Sequence, residues 1–269
     1  MAHWVEVYTQ MTNQTSPSAR WIIRLHGEEM DIDACERRLD RRFDPRIDHI
    51  PHNGQSIRVL RSSVFDNLQD ATDVLENATG LVAWLNGALS LAVGAEPLAI
   101  RDVGKIGSDG SIGFFNFARA NLAGRGMMLA ASGVIGNPNV APVPAPSWVQ
   151  KLMSAAENDD DVARVLKHFG QPTNWYDLWT TYEIIEDEVS QSTPRGMRPP
   201  RIKGIKPKRA LMMSRKWISD SDLEKFADSC NYHRHGARKP PTPSESATPN
   251  EARQVLAQIL RNWLSIKVP

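Results

Sequence analysis

Cysteine is scarce in this chain, which has only Cys35 and Cys230 among its 269 residues. Neither has a partner at the spacing of a disulfide framework or a zinc clip, so we expect a reducing compartment. Long apolar runs are missing as well: the first 20 residues contain none, and residues 81–93 are interrupted by Asn86 and Gly87. That segment is shorter than the roughly 20 residues of a membrane span. We therefore expect a cytoplasmic protein with no membrane partner.

Several common signatures of enzymes are absent from the sequence. It contains no Walker loop, no dinucleotide-binding fingerprint, no Gly-x-Ser-x-Gly elbow and no His-Glu-x-x-His helix. The four glycines that recur every three residues from Gly104 to Gly113 flank a predicted hairpin instead of a strand-to-helix turn. We therefore predict no cofactor and no bound metal.

The composition is that of an ordinary globular protein, with 41% apolar and 23% charged residues, which excludes a largely disordered chain. The net charge of +1 conceals two regions of opposite sign. Residues 157–188, which we name the acidic block, hold nine Asp and Glu but only two basic residues. Residues 195–239, the basic segment, hold 13 Lys and Arg against four acids. The C-terminal half therefore contains an acidic block followed by a basic segment.

Residues 1–136 are predicted to form an α/β domain with a small, mostly antiparallel sheet and one long helix. Apolar alternation and turn residues predict strands at residues 21–26, 56–60, 98–106, 112–122 and 127–134. An Asn-Gly pair before the second of these strands and an Asp-Gly pair before the fourth predict tight turns. His49 and His52 are assigned to an exposed loop.

One long helix dominates this predicted domain. Apolar residues recur at three- and four-residue steps over residues 67–93, which is the pattern of an amphipathic helix. Gly80 and Gly87 each cost such a helix about 1 kcal/mol relative to alanine, so they indicate a kink or close packing against another backbone. A shorter helix is predicted from Asp31.

Proline marks the predicted domain boundary. Residues 137–147 contain four prolines, which exclude a helix or a central strand and predict an extended linker. Beyond it, residues 148–269 are predicted to form an all-helical bundle, which makes the protein α+β overall. Helices are predicted at residues 148–156, 160–169, 173–189 and 220–230, and a last one starts with a capping box of Thr248 and Glu251. Residues 195–209 are predicted to be an extended loop.

The candidate site is the segment of residues 230–239, which follows a predicted helix and precedes a proline-rich turn. His233 and His235 lie beside permanent cations, which lower the pKa of an imidazole, so one ring can act as a base near neutral pH. Arg234 can then hold a phosphate. Two alternatives stay open. The segment can be a solvated connector that caps helix ends, or Cys230, His233 and His235 can bind a metal, although adjacent cations oppose a divalent ion.

Residues 148–269 contain four features in order: a helix, an Arg-His cluster with a neighbouring Asn, a proline-rich turn, and a capped helix that ends in an aromatic–aliphatic pair. This order resembles the tails of many uncharacterised bacterial proteins and the HEPN class of helical-bundle domains. HEPN domains often act as metal-independent RNases in RNA processing, toxin and phage-defence systems, using an Arg, its polar neighbour and a His further on. Arg234 and His235 match the first two. The third position falls on Lys-Pro-Pro at residues 239–241, so the resemblance leaves proton transfer to His235 or His233.

The basic segment provides the residues that we predict to contact nucleic acid. Neutralising several phosphates releases their counterions, which stabilises the complex. The predicted contacts are Arg195, Arg198, Arg201, Lys203, Lys206, Lys208, Arg209 and Arg238. A flexible solvated loop and docking on the protein's own acidic block are the two alternatives. Glu183 and Asp187 of that block lie one helical turn apart and are expected on a solvated face.

These features lead to a functional hypothesis: an RNA-directed defence or regulatory protein whose HEPN-like bundle is a candidate metal-independent endoribonuclease. RNA is the expected partner, a homodimer is the expected assembly, and the N-terminal domain is expected to sense a ligand or partner. The alternative is a non-catalytic protein-interaction or dimerisation module. A catalytic bundle would place His233, Arg234 and His235 in a concave groove near the dimer contact, whereas an interaction module would leave them in solvent.

Overall fold

The computed structural model describes residues 20–115, 117, 145–193, 200–201, 206–235 and 246–268, with only the backbone described for Arg20 and His235. The strand predicted at residues 127–134 and most of the predicted linker, residues 137–144, lie outside this part of the chain. The described part holds one five-stranded sheet in its first half and is helical in its second. The α+β prediction is therefore confirmed.

The sheet is antiparallel throughout. Its strands are β1 (Arg20–His26), β2 (Arg46–His52), β3 (Gln55–Arg61), β4 (Ala99–Ile106) and β5 (Ile112–Phe115). Their order is β2-β3-β1-β4-β5. β1 is central because it pairs with both β3 and β4, with Ile23 opposite Leu60 on one side and opposite Val103 on the other. The predicted small antiparallel sheet is thus confirmed.

β2 is a strand that the sequence did not predict. His49 and His52, which were assigned to an exposed loop, lie on it, and His49 Nε2 is 2.7 Å from a carboxylate oxygen of Glu36. The strand has no regular apolar alternation, and its Pro51 argues against a central strand. Because β2 lies at the edge of the sheet, a residue without an N–H is tolerated there.

Two tight turns join the hairpins where the sequence predicted them. Asn53 and Gly54, between β2 and β3, have φ values of 50° and 75°. Two successive positive φ values match the twist of a two-residue hairpin, which explains the Asn-Gly pair. Gly110, between β4 and β5, has a φ of 81°, the conformation for which glycine has no steric penalty.

The described residues form eight α-helices. They are α1 (Glu29–Arg38), α2 (Ala71–Val93), α3 (Trp148–Asn158), α4 (Asp160–Phe169), α5 (Trp175–Gln191), α6 (Pro207–Ser214), α7 (Asp220–His235) and α8 (Pro249–Lys267). Thr248 and Glu251 form the predicted capping box at the start of α8. Among the helices of this described part, none is both long and apolar enough to cross a bilayer.

Two helical segments differ from the prediction. The extended loop predicted at residues 195–209 is wrong at its end, because α6 begins at Pro207, and proline at the first helical position starts a helix instead of breaking it. α7 continues to His235, so His233 and Arg234 lie on its last turn and not on a connector. That last turn packs on α5, and tertiary packing of this kind supplies most helical stability in proteins.

One cluster of buried apolar side chains contains residues of both predicted domains. Ile23 of β1 and Leu85 of α2 belong to it together with Leu166 of α4 and Leu256 of α8, and all four are fully buried. Residues before and after the predicted boundary therefore share this core, and α2 is one of the N-terminal elements that contact the helices after the boundary. The division into two domains at residues 137–147 stays a prediction.

Gly87 lies where α2 meets α4. A Cβ added to it would collide with the backbone carbonyl of Leu166, and a Cβ added to Gly170 would lie 2.7 Å from the Gly87 nitrogen. Such distances are shorter than packed heavy atoms allow, so the two backbones touch at this point. The sequence predicted either a kink or close backbone packing at the glycines of this helix, and Gly87 is a site of close packing.

Candidate functional site

The last turn of α7 lies against the first half of α5, and this contact brings two predicted site residues to side chains of α5. Helix α5 begins at Trp175, where Asn174 caps it by accepting a hydrogen bond from the backbone N–H of Asp177. Trp175, Trp179 and Glu183 follow at four-residue steps, so they share one side of the helix. That side contacts α7.

The imidazole of His233 stacks on the indole of Trp175. The two ring centroids are 4.5 Å apart and the rings are inclined by 8°, which is a parallel stack. Tyr232 adds an edge-on contact to the same imidazole, with centroids 5.0 Å apart. His233 is nevertheless exposed to solvent. The predicted base is therefore held by aromatic packing at the protein surface.

Arg234 is paired within the protein. Its Nη1 is 3.0 Å from Oε1 of Glu183, and its guanidinium lies 5.5 Å from the ring centroid of Trp179. Trp179 is buried, and its indole N–H has no acceptor among the described residues. The predicted phosphate-binding arginine thus already has a carboxylate neighbour, and a phosphate would have to share the guanidinium with it or displace it.

The acidic block and the basic segment meet along α5, α6 and α7. Lys208 of α6 forms an ion pair with Asp187 of α5, and Arg209 lies 3.5 Å from a carboxylate oxygen of Asp228 on α7. Lys208 therefore docks on the acidic block, which was one of the two alternatives to nucleic-acid contact, whereas Arg209 pairs with an acid of the basic segment itself. Their assignment to RNA stays a prediction.

The other predicted residues divide into three groups. Arg201 and Lys206 are exposed. Arg195, Arg198, Lys203, Arg238 and the side chain of His235 lie outside the described residues. Cys230, a ligand in the metal alternative, is fully buried in the core, and burial raises the pKa of its thiol to about 12. The described residues contain no group of three or more His, Cys, Asp and Glu side chains that could hold a metal ion.

The partners on α5 are what the sequence analysis did not find. The helix at residues 173–189 was predicted without a role for Trp175 or Trp179, and Glu183 was expected on a solvated face. Tyr176, beside the stack in sequence, is 66% exposed although it is aromatic. The sequence signal that could have revealed these partners was the four-residue spacing of two tryptophans and an acid on one predicted helix.

Glu186 lies on the same helix, half-buried beside the phenol of Tyr182, which donates to it over 3.1 Å. Burial raises the pKa of the Glu186 carboxyl, although the hydrogen bond from Tyr182 and the charges of Arg209 and Lys208 act in the opposite direction. A carboxyl whose pKa is raised in the folded state favours folding when protonated, and this contribution is lost as the pH rises through the folded-state pKa.

Replacing Glu186 by glutamine is therefore expected to change how stability depends on pH. The free energy of unfolding of Glu186→Gln minus that of the unchanged protein should increase from pH 4.5, the ordinary pKa of the group, to neutral pH. Urea unfolding at a series of pH values measures this difference. Glu224→Gln on the exposed side of α7 is the matched control for loss of one carboxylate. A difference that falls over the range would contradict the burial of the Glu186 charge.

A scan against protein-family models, a search of curated proteins and a search of solved structures each found no match to this chain. The resemblance to HEPN domains therefore rests on the sequence motifs of residues 148–269 alone.

Proposed function

We propose that Trp175, Tyr232, His233 and Arg234, together with the exposed Tyr176 that follows Trp175 in the chain, form a surface that binds single-stranded RNA without cleaving it. We name this surface the aromatic–arginine face. The observation that carries the proposal is the parallel stack of an exposed imidazole on an indole, next to an arginine. The wider role, in RNA-directed defence or regulation, and a homodimeric assembly belong to the same proposal and rest on the sequence resemblance.

Aromatic side chains at a surface suit single-stranded nucleic acid because every base has a π-face. Proteins that bind single strands combine such stacking platforms with basic side chains that follow the backbone. The aromatic–arginine face offers Tyr176 as an exposed ring and His233 as the outer member of a stack. Of the residues predicted to contact nucleic acid, Arg201 and Lys206 are described and exposed, and they remain available for phosphate contacts.

Cleavage is not part of the proposal because the side chains described for this face include one imidazole and not a pair. Attack by the 2′-hydroxyl requires one group to accept a proton and another to donate one to the leaving oxygen. The face holds one described imidazole, that of His233, and residues 239–241 supply no further histidine. In addition, the carboxylate of Glu183, 3.0 Å from Arg234, repels a phosphate that approaches the guanidinium.

The test is binding and cleavage of a labelled, unstructured RNA by the full chain in EDTA, measured in the same samples at two salt concentrations. Tyr176→Ala is expected to weaken binding by the stacking energy of one base, about 1–3 kcal/mol, or roughly 5-fold to 150-fold. Tyr176→Phe keeps the ring and should bind normally. Arg234→Ala should weaken binding because it leaves the Glu183 carboxylate unpaired on the face, whereas Arg164→Ala, which removes the partner of Asp161 at an exposed site on α4, is the matched loss of charge.

Each outcome bears on the proposal directly. Salt-sensitive binding without cleavage, weakened by Tyr176→Ala but not by Tyr176→Phe, supports it. RNA cleavage that is lost in a double variant, His233→Ala with Arg234→Ala, would overturn it and establish a metal-independent endoribonuclease. Absence of both binding and cleavage would also overturn it and would favour the protein-interaction or dimerisation module.

A further inference from the structure

A cleft of about 410 Å³ opens where α2, α4 and α8 meet. Its walls come from residues 90–97, 169–173 and 250–261, so segments on both sides of the predicted domain boundary line it. Clefts of roughly 300–1000 Å³ are the size that proteins use for small-molecule ligands. The aromatic–arginine face contributes no residue to these walls, so the cleft is separate from the proposed RNA site.

Two arginines of α8 line this cleft. Arg253 donates to the carbonyl oxygen of Phe169 over 2.7 Å and to Oγ of Ser90 over 2.9 Å. Arg261 donates to the carbonyl oxygen of Leu91 over 2.9 Å. All of these acceptors are neutral oxygens. Within the described part of the chain, neither arginine forms an ion pair with a carboxylate, so both positive charges lack a counterion there.

Other arginines of the protein are paired differently. Arg24, Arg58 and Arg234 each form an ion pair with at least one carboxylate. Burial lowers the pKa of the Arg253 guanidinium, and the negative charge of Glu96 acts in the opposite direction without forming an ion pair. A guanidinium has five N–H donors, and the described residues accept three hydrogen bonds from Arg253 and two from Arg261. Both side chains therefore retain donors for a ligand.

We infer that the cleft binds a small molecule with a carboxylate or phosphate group, held by Arg253 and Arg261. The planar guanidinium matches the oxygens of both groups in a two-point contact. Asn250 also lines the cleft, so the first turn of α8, the positive end of the helix dipole, adjoins it. Glu96 is the acidic residue of the walls, and it suits a hydroxyl or amine elsewhere on the same ligand. This site goes beyond the RNA-binding proposal and does not depend on it.

The two arginines also have a structural role that needs no ligand. Phe169 ends α4 and Leu91 belongs to the last turn of α2, so Arg253 and Arg261 each cap carbonyl oxygens at the C-terminal end of a helix. Replacing Arg253 therefore risks unfolding. Arg261 is exposed and contacts one carbonyl, and Glu96 is exposed, which makes these two residues the safer positions for a test.

The test measures two quantities for the full chain: its thermal midpoint of unfolding, and its affinity for anions by titration calorimetry. The anions are inorganic phosphate and succinate, each compared with sodium chloride of equal ionic strength. Both anions are expected to raise the thermal midpoint more than chloride does. Arg261→Gln should weaken anion binding about tenfold, the effect of losing a charged hydrogen bond. Glu96→Gln should strengthen it, because a like charge is removed from the wall. Arg164→Gln, away from the cleft, is the control.

A purely structural role for the arginines predicts a different pattern. No stabilisation beyond chloride by either anion, or equal anion affinity in the unchanged protein, Arg261→Gln and Glu96→Gln, would overturn the inference. The Arg261→Gln protein is expected to bind RNA normally. Failure of the anion-binding inference would therefore be seen in the cleft variants, and failure of the RNA-binding proposal in the variants of the aromatic–arginine face.

Discussion

Alanine at Gly87 is expected to lower the free energy of unfolding by about 3 kcal/mol, the upper part of the usual range for overpacking. The three atoms nearest to the added Cβ are the oxygen, carbonyl carbon and Cα of Leu166, all of them backbone. No side chain can rotate to make room, so α2 and α4 have to separate and the core between them has to open. Urea unfolding followed by circular dichroism measures the loss.

Gly113→Ala is the matched control for the change at Gly87. On β5, a Cβ at Gly113 would meet no atom within 4 Å, so the same substitution adds a methyl group without a collision. We expect its effect to stay within about 0.5 kcal/mol, as for surface substitutions in general. If Gly87→Ala unfolded at the same urea concentration as Gly113→Ala, the close contact between α2 and α4 would be wrong.

Local chemistry explains why much of the fold was predictable. The Asn-Gly turn at residues 53–54, the capping box of α8 and the apolar steps of α2 are each encoded within a few neighbouring residues. Such signals need no knowledge of distant contacts. The close packing at Gly87 was also foreseeable, because a glycine inside a long helix lowers its stability unless another backbone approaches.

The parts that were not predicted depend on contacts between distant residues. β2 carries Pro51 and an irregular apolar pattern, and it is a strand because β3 pairs with it from Arg46 to His52. The extension of α7 to His235 likewise follows its contact with α5, where Trp175 supports His233. Local sequence patterns contain no information on β3 as the partner of β2 or on α5 as the partner of α7. Tertiary context overrides weak local preferences in both cases.

The candidate site was predicted only in part, because it also depends on contacts between distant residues. The cluster of His233 and Arg234 is visible in the sequence as a concentration of titratable side chains. The neutralisation of Arg234 by Glu183 is not visible there, because this ion pair joins residues that are 51 positions apart. The docking of Lys208 on Asp187 shows the same limit: two blocks of opposite charge predict attraction, and only the fold decides whether the partner is RNA or the protein itself.

Alanine at Trp263 is the second substitution with a large expected effect, about 3–5 kcal/mol of unfolding free energy. Trp263 is 1% exposed and is among the largest fully buried side chains of the described part. Its indole N–H donates to Oε2 of Glu188 on α5 over 2.9 Å, and Nζ of Lys267 lies 5.3 Å from its ring centroid. Truncation would leave a cavity and remove a donor from a partly buried carboxylate.

Trp263→Phe separates these two contributions. The phenyl ring keeps most of the buried volume but has no N–H, so Glu188 loses one hydrogen bond and retains Lys267, whose Nζ is 3.4 Å from its Oε1. We expect a loss of about 1–2 kcal/mol, the usual cost of leaving one partner of a buried hydrogen bond unpaired. Ile266→Ala, on the exposed side of the same helix, should cost less than either. Equal losses for Trp263→Ala and Ile266→Ala would contradict the position of Trp263 in the core, whereas equal losses for Trp263→Ala and Trp263→Phe would assign the stabilisation to the hydrogen bond instead of the buried ring.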